Sequence, residues 1–255
     1  MNVSELYAYM EQRLPRSLSA SFDNDGLACA PLPQKQVKRV LVSLDATAAA
    51  VEYAVTGGFD VLLTHHPLLF RGIKELTPFH TVSAKLLALA RGGVAAMAFH
   101  TRLDAASGGV NDCLAALLGV KDTVPFGPDG EPACGRIGNL ATPVTAAAFA
   151  ALAKEKLNAP AVLLAGEGTV SRVALLGGEG GDYVEAARAA GADLFLSGRI
   201  GYHRMLDGAE EGIVLVEAGH YATELPICTV LADLVRAADP TVTVELWQAH
   251  PIQMF

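Results

Sequence analysis

Residues 37–67 read VKRVLVSLDATAAAVEYAVTGGFDVLLTHHP and contain two apolar, β-branched runs separated by an Ala-rich stretch of helical length. The first run, Val37 to Leu44, predicts a strand, and the alanines after Asp45 predict a helix. The second run, Phe59 to Leu63, predicts another strand. Strands that alternate with helices in this way are typical of an α/β protein built around mostly parallel strands.

The same alternation continues toward the carboxyl end of the chain. Val94 to Phe99 predicts a strand that ends at His100, and Tyr183 to Ala190 predicts a helix. Three further strands are predicted at Arg172 to Leu176, Asp193 to Leu196 and Ile213 to Val216. We therefore expect an α/β fold class with two α/β lobes and mostly parallel sheets.

The clearest interruption of this pattern is the stretch Pro125 to Gly138, which is rich in glycine and proline. We place the boundary between the lobes there, with a first lobe at residues 1–125 and a second at 126–240. The remaining residues, 241–255, contain an alternating run from Thr241 to Trp247 that predicts a strand. The pattern leaves open which of the two sheets this strand completes.

Composition excludes several classes of function. The chain has 255 residues, with 27 acidic and 19 basic side chains and a net charge of −8, which argues against a nucleic-acid partner. Its apolar runs are shorter than the ~20 residues needed to span a bilayer, and residues 1–16 lack the features of a signal peptide. We therefore expect no membrane partner and a cytoplasmic location. The four cysteines are widely spaced, which favours buried thiols over a disulfide framework.

Side chains that bind metals follow three of the predicted strands, where sites form in open parallel sheets. They are His65 and His66 after the strand that ends at Leu63, Asp104 after the strand that ends near His100, and His220 and Glu224 after the strand that ends near Val216. Taken singly, a histidine after a strand is more often a packed or capping residue than a ligand, and an aspartate there commonly forms a turn. Two adjacent imidazoles at the end of an apolar strand are rarer, because their polar atoms need partners.

The spacing of these residues fits two neighbouring ions better than one. Adjacent residues of an extended chain point to opposite sides, so His65 and His66 are expected to reach different ions. A carboxylate has two oxygens and can bridge such a pair, and Glu224, four residues after His220, is the candidate bridge. Because Pro226 favours a helix that begins nearby, we expect the positive end of that helix to favour an anion there.

Three blocks of sequence are distinctive in order and spacing: THHPLLF at 64–70, HTRLD at 100–104 followed by GGVND at 108–112, and GHYATE at 219–224. They resemble the signature blocks of the Nif-three-like family, whose bacterial members are often labelled GTP cyclohydrolase I type 2-like. DNDGL at 23–27 and SGRIGYH at 197–203 are also similar to blocks of this family. The resemblance extends from Leu14 to Pro226 and is to the short form, which lacks an inserted domain.

The resemblance implies two divalent metal ions per chain, either zinc, iron or manganese, in the cleft between the lobes. In this interpretation His66 and Asp104 bind one ion, His65 and His220 bind the other, and Glu224 bridges them. The resemblance also implies a ring-shaped homo-hexamer.

Three further residues take their interpretation from the resemblance. His100, four residues before Asp104, is similar to a residue that orients a ligand or moves protons, and a role as a core histidine fits equally well. The chain has Arg102 and Arg199 where family members commonly have an asparagine and an acidic residue. The alternatives are a preference for negatively charged substrates and local salt bridges, and we expect both arginines to form salt bridges.

The function that these residues imply is a metal-dependent hydrolase that acts on a small molecule. The resemblance, through the label of its bacterial members, implies ring-opening hydrolysis of GTP as the specific version. Its ions would lower the pKa of a bound water and polarise the substrate. The alternatives are a non-catalytic metal carrier or chaperone and a scaffold that the ions only stabilise. Open coordination positions, expected when five protein groups bind two ions, disfavour the scaffold.

Overall fold

The computed structural model describes residues 1–130 and 132–252, and it contains one sheet of five strands and one of six. Residue 131 of the expected second lobe and residues 253–255 of the C-terminal segment lie outside the described residues. The chain divides into two compact units, the first formed by Met1–Leu103 with residues 227–252 and the second by Asp104–Pro226. The expected α/β fold class is confirmed.

The elements follow one another along the chain in an alternating order. The helices are α1 (Val3–Arg13), α2 (Ala48–Thr56), α3 (Thr81–Gly92), α4 (Thr101–Ala105), α5 (Val110–Leu117), α6 (Ala146–Lys156), α7 (Val184–Ala189), α8 (Tyr202–Glu210), α9 (His220–Glu224) and α10 (Ile227–Ala238). The strands are β1 (Gly26–Cys29), β2 (Arg39–Ser43), β3 (Val61–Thr64), β4 (Ala95–Ala98), β5 (Val120–Phe126), β6 (Gly135–Thr145), β7 (Leu163–Ala165), β8 (Thr169–Glu179), β9 (Leu194–Arg199), β10 (Val214–Glu217) and β11 (Thr243–Trp247). Short 3₁₀ turns lie at Arg16–Leu18 and Gly181–Tyr183.

The first unit contains the sheet β1-β4-β3-β2-β11, in which only the β1–β4 pair is antiparallel. Strands β3 and β4 are buried along their whole length, which explains why their sequences are continuously apolar. The Ala-rich stretch forms α2 as predicted, and Thr47 caps its first turn, because the Thr47 side chain accepts a hydrogen bond from the Ala50 N–H. Strand β11 pairs with β2 and therefore completes the first sheet.

The second unit contains the sheet β5-β6-β8-β9-β10-β7. Its β8–β9 and β9–β10 pairs are parallel, and its other three pairs are antiparallel. This sheet is therefore mixed rather than mostly parallel. For the β5–β6 pair the reason is local: part of the stretch from Pro125 to Gly138 turns the chain between these strands, and strands joined by a short connection pair antiparallel.

The division between the units also differs from the expected division at residue 125. The chain leaves the first unit at Leu103, and it returns to that unit after Pro226 to form α10 and β11. The physical reason lies in the cores, because the buried faces of α5 and β5 pack with those of β8, β9 and β10. Breaker residues mark turns, and burial decides which unit a segment joins.

Two further expectations concern membrane-spanning segments and the cysteine thiols. None of the helices in the described ranges combines the length and the apolar character needed to cross a membrane. All four cysteines are present as thiols; Cys134 and Cys228 are buried, and Cys29 and Cys113 are partly buried.

Candidate metal centre

Three imidazoles lie together in the first unit, at the carboxyl ends of β3 and β4. His65 and His66 directly follow β3, and His100 lies just beyond β4. The ring centroids are 4.9 Å apart for His65 and His66, 5.3 Å for His65 and His100, and 5.5 Å for His66 and His100. One ring nitrogen from each lies within 4.8 Å of the others, so the three residues could hold a metal ion.

Each of these rings is oriented through its Nδ1 atom. The Nδ1 atom of His65 lies 2.9 Å from the carbonyl oxygen of Phe99, which can only accept a hydrogen bond. The Nδ1 atom of His66 lies 2.8 Å from Asp45 Oδ1, and that of His100 lies 3.0 Å from Asp23 Oδ1. With Nδ1–H donating in all three, each Nε2 atom carries the lone pair, which is the usual arrangement of histidines that bind metals.

The Asp23 carboxylate that supports His100 is itself held firmly. It accepts hydrogen bonds from the backbone N–H of Thr101 at 3.0 Å and from the Thr101 hydroxyl at 2.6 Å. Burial disfavours the charged form of Asp23, but the hydrogen bonds from His100 and Thr101 outweigh it and hold the pKa of this carboxyl well below its usual range. A charged Asp23 keeps His100 in the orientation described.

A buried ion pair fixes the backbone at the same place. Arg102 is 0% exposed, and its Nε and Nη2 atoms donate to the two oxygens of Asp25 at 2.7 and 2.8 Å. It also donates to Glu11, and Asp25 accepts a hydrogen bond from the backbone N–H of His100. The salt bridge expected for Arg102 is thus confirmed, and it connects α1 and the DNDGL block to His100.

The second unit brings together the other three predicted ligands. His220 and Glu224 begin and end α9, and His220 Nε2 lies 3.0 Å from Glu224 Oε2. Carboxylate oxygens of Asp104 and Glu224 lie within 4.8 Å of one another. The buried Glu224 is therefore the neighbour of both His220 and Asp104. Glu224 closes α9, and Pro226 separates it from α10, so it does not occupy the first turn of the following helix as expected.

Glycines on the sheet make room for α9. A methyl group on Gly178, whose φ is +69°, would overlap the Glu224 carboxylate. A Cβ atom on Gly198 would lie 2.6 Å from the Thr223 hydroxyl, and a Cβ on Gly177 would lie 3.2 Å from Glu224 Cγ. The Thr223 hydroxyl also accepts a hydrogen bond from the Gly178 N–H at 3.1 Å. Only a surface without side chains lets this helix pack so closely.

Sequence reasoning missed several of these supporting residues. Asp23 and Asp25 lie in a block that was singled out without a role, and Asp45 lies at a strand end, where an aspartate usually forms a turn. The sequence gives no indication of the role of Gly178 or Gly198, except that each lies near the end of a strand that contains glycine. By contrast, Arg199 is 68% exposed and 3.9 Å from Glu179, a long surface ion pair outside the two groups of ligands.

Comparisons with known proteins agree with the fold. The chain is 26% identical to Staphylococcus aureus protein SA1388 with a TM-score of 0.88, over 100% of this chain and 99% of that one. A Bacillus cereus protein related to NIF3 has the same TM-score at 23% identity, again over 100% of this chain and 99% of that one.

Comparisons with curated sequences give the family. The GTP cyclohydrolase 1 type 2 homolog of Streptomyces coelicolor is 33% identical, over 97% of this chain and 94% of its own length. The protein NIF3 homolog of Schizosaccharomyces pombe is 31% identical, over 87% of this chain and 84% of its own length. The family model Duf34/NIF3 (NGG1p interacting factor 3) matches residues 1–251, and the chain therefore belongs to the Duf34/NIF3 family.

Proposed function

We propose that the protein binds two divalent metal ions per chain and uses them to hydrolyse a small molecule. The proposed ligands are His65, His66, Asp104, His220 and Glu224. The observation that carries the proposal is the orientation of the three imidazoles in the first unit, whose Nδ1 atoms all face fixed acceptors. This arrangement sets the tautomer that a metal ligand needs before any ion binds.

The second group of ligands supports two ions rather than one. Glu224 lies beside both Asp104 and His220. In the proposed centre its two oxygens would serve different ions. The mixture of imidazole and carboxylate ligands suits zinc, iron or manganese. His100, which lies within the histidine group, is proposed to orient the site and to exchange protons, with direct ligation as a second role.

Access to the ligands favours catalysis over a purely structural centre. The His66 side chain is 22% exposed and that of His220 is 44% exposed, so solvent reaches ligands of both groups. Bound divalent ions would lower the pKa of a water molecule and polarise a carbonyl or phosphoryl group of the substrate. The names of the curated relatives make GTP the first substrate to test, although the net charge of −8 argues against a general affinity for triphosphates.

Elemental analysis of the purified protein tests the metal centre. We expect two ions per chain after full loading, and a marked loss of both in Glu224→Gln, which keeps the side-chain volume but weakens the bridge. The matched control is His203→Ala, an exposed histidine outside the two groups. One ion or fewer per chain in the loaded wild-type protein would contradict the two-ion centre.

A substrate panel then tests catalysis. Wild type, Asp104→Ala and His220→Ala would be compared on GTP, phosphoesters and cyclic amides, with the metal content of each sample verified. We expect activity on at least one substrate in the wild type and its loss in both variants. Activity that survives in both would come from another source, and a fully loaded protein with no activity on the panel would favour the metal carrier.

We also propose that the chain assembles in the cytoplasm as a homo-hexamer. The net charge of −8, which argues against a nucleic-acid partner, is compatible with a closed symmetric assembly. Light scattering at micromolar concentration is expected to give six times the chain mass of 26.6 kDa. A stable monomer would refute this assembly.

A further inference from the structure

The first unit contains a recess beside His66 that none of the predicted ligands fills. It has a volume of about 300 Å³, and His66 and Asp45 form one part of its wall. Its volume is at the lower end of the range for small-molecule sites, which is about 300–1,000 Å³. A molecule in this recess would lie against a proposed metal ligand, so the recess is suited to hold part of a substrate.

The lysine that lines this recess is Lys85, which α3 supplies. Its ammonium group donates a hydrogen bond to the carbonyl oxygen of Ala46 at 2.7 Å. An ammonium has three donors, so this bond leaves capacity for a further acceptor. The Lys85 side chain is partly buried. Because partial burial removes water from the ammonium group, an anionic partner stabilises its charge more than it would in full solvent.

The charges around the Lys85 ammonium group also favour an anionic ligand in the recess. Burial lowers the pKa of Lys85 below its usual value, and the charge of Asp45 acts against this shift. The Asp45 carboxylate is already engaged, since its Oδ1 atom lies 2.8 Å from His66 Nδ1. An anion in the recess would therefore give Lys85 a second counter-charge.

Other parts of the wall are apolar, although Thr47 and His250 also line the recess. Pro67 and Leu68 line one part of the recess, and Pro251 and Ile252 line another. Such a combination of apolar contacts with a few polar groups is typical of sites for small organic ligands.

We propose that this recess binds an anionic group, a phosphate or a carboxylate, on the small molecule that the metal centre acts on, with Lys85 as its counter-ion. The inference rests on the metal centre proposed above, because it assigns the recess to the substrate of that centre. It narrows the substrate to a small organic anion whose apolar part contacts Leu68 and Ile252. Lys85 acts here as a specificity-determining residue.

The test uses the full-length protein and three probes: phenylphosphonate, benzoate and the neutral benzyl alcohol. Binding would be measured by calorimetry both after metal loading and after chelator treatment, so that binding to the ions and binding to the recess are separated. We expect at least one of the two anions, and not the alcohol, to bind in both states. The two anions distinguish a phosphate site from a carboxylate site.

Variants assign the binding to Lys85. Lys85→Met is expected to weaken anion binding by about tenfold or more in both states, as for loss of a charge-assisted hydrogen bond. Lys85→Arg keeps the charge and is expected to retain most of the affinity. The matched control is Lys74→Met, which changes a lysine that lines a different cavity. Thermal unfolding of each variant checks that the first unit remains folded.

The outcomes separate this inference from the proposed function. If the protein binds two ions, and wild type and Lys85→Met bind the anion equally well, the proposed anion site is wrong and the proposed metal centre stands. Anion binding that depends on Lys85 in a protein that holds no metal would support the recess and count against the centre. Absence of anion binding to the wild type in both states would overturn the recess.

Discussion

The two units share an arrangement of three parallel strands and differ in how they position ligands at its end. In the first unit β2, β3 and β4 are neighbours in chain order, and in the second unit β8, β9 and β10 are. An aspartate precedes each middle strand and accepts two backbone hydrogen bonds from the neighbouring segment. Asp60 does so from Lys38 and Arg39, and Asp193 does so from Ser171 and Arg172.

The likeness extends to the candidate ligands after the third strand. The five-residue helix α4 follows His100 and contains Asp104, the residue at which the chain enters the second unit. The five-residue helix α9 begins at His220 and ends at Glu224. Both segments therefore have a carboxylate four residues after a histidine. After the middle strand the units differ, since the first unit has the adjacent histidines and the second has the glycine-containing segment around Gly198.

This difference teaches that one strand arrangement can position ligands in two ways. In the first unit hydrogen bonds from carboxylates and a carbonyl orient the imidazoles. In the second unit missing side chains at Gly178 and Gly198 bring α9 against the sheet. The orientation of the imidazoles in the first unit depends on charge, and the packing of α9 in the second depends on shape. Different substitutions should therefore disturb them.

The largest effect is expected from Arg102→Met, which removes the charge-based support in the first unit. The variant leaves Asp25 buried without its counter-charge, and breaking a buried ion pair from one side costs about 3–5 kcal/mol. Denaturant unfolding would measure the loss in the free energy of unfolding. The double variant Arg102→Met/Asp25→Asn should recover part of this loss, and no recovery would mean that the charge of Asp25 is not the cause.

A smaller effect is expected from Gly178→Ala, which disturbs the shape-based device in the second unit. The left-handed backbone and the overlap with Glu224 together should cost about 2–3 kcal/mol and lower the metal content. Gly191→Ala is the matched control, because Gly191 has a φ of +79° with open space around it. That variant should lose about 1 kcal/mol and keep its metal. Equal metal content in the two variants would contradict the role of Gly178.

A further test uses the two aspartates that the units share. Asp60→Asn should lower the free energy of unfolding by about 1–2 kcal/mol, because it weakens charge-assisted hydrogen bonds to a buried carboxylate. Asp193→Asn should cost less, since Asp193 is exposed. A larger loss in the free energy of unfolding for Asp193→Asn than for Asp60→Asn would contradict this comparison of the two aspartates.

The effect at Asp60 should depend on pH. Burial would raise its pKa, but hydrogen bonds from Lys35 and from the backbone of Lys38 and Arg39 outweigh burial and lower it. Because the folded pKa is below the unfolded value of about 3.9, the contribution is fully present above that value and is lost as pH falls through the folded pKa. Unfolding at pH 7 and pH 3 should therefore show a smaller difference between wild type and Asp60→Asn at pH 3.

The smallest effect is expected from Arg199→Ala. Its ion pair with Glu179 is 3.9 Å long, and the two side chains are 68% and 63% exposed, so the change should cost less than about 0.5 kcal/mol. Denaturant unfolding beside Arg102→Met would measure the contrast. A loss as large as that of Arg102→Met would show that exposure does not separate the two arginines.

The sequence by itself determined the α/β class and the residues that could bind metal, because both depend on short segments. An apolar run such as Phe59 to Leu63 and a pair such as His65 and His66 are visible within a few residues. Periodicity and residue chemistry are sufficient to read them.

Only the tertiary structure decided how the ligands are supported and which unit each segment joins. Asp23 and His100 are 77 residues apart, and nothing local to either residue indicates their hydrogen bond. The same holds for Gly178 under Glu224 and for β11, which joins the first sheet across a long stretch of chain. The physical reason is that strand order and close packing minimise the free energy of a whole unit, so they depend on contacts between distant segments rather than on any one segment.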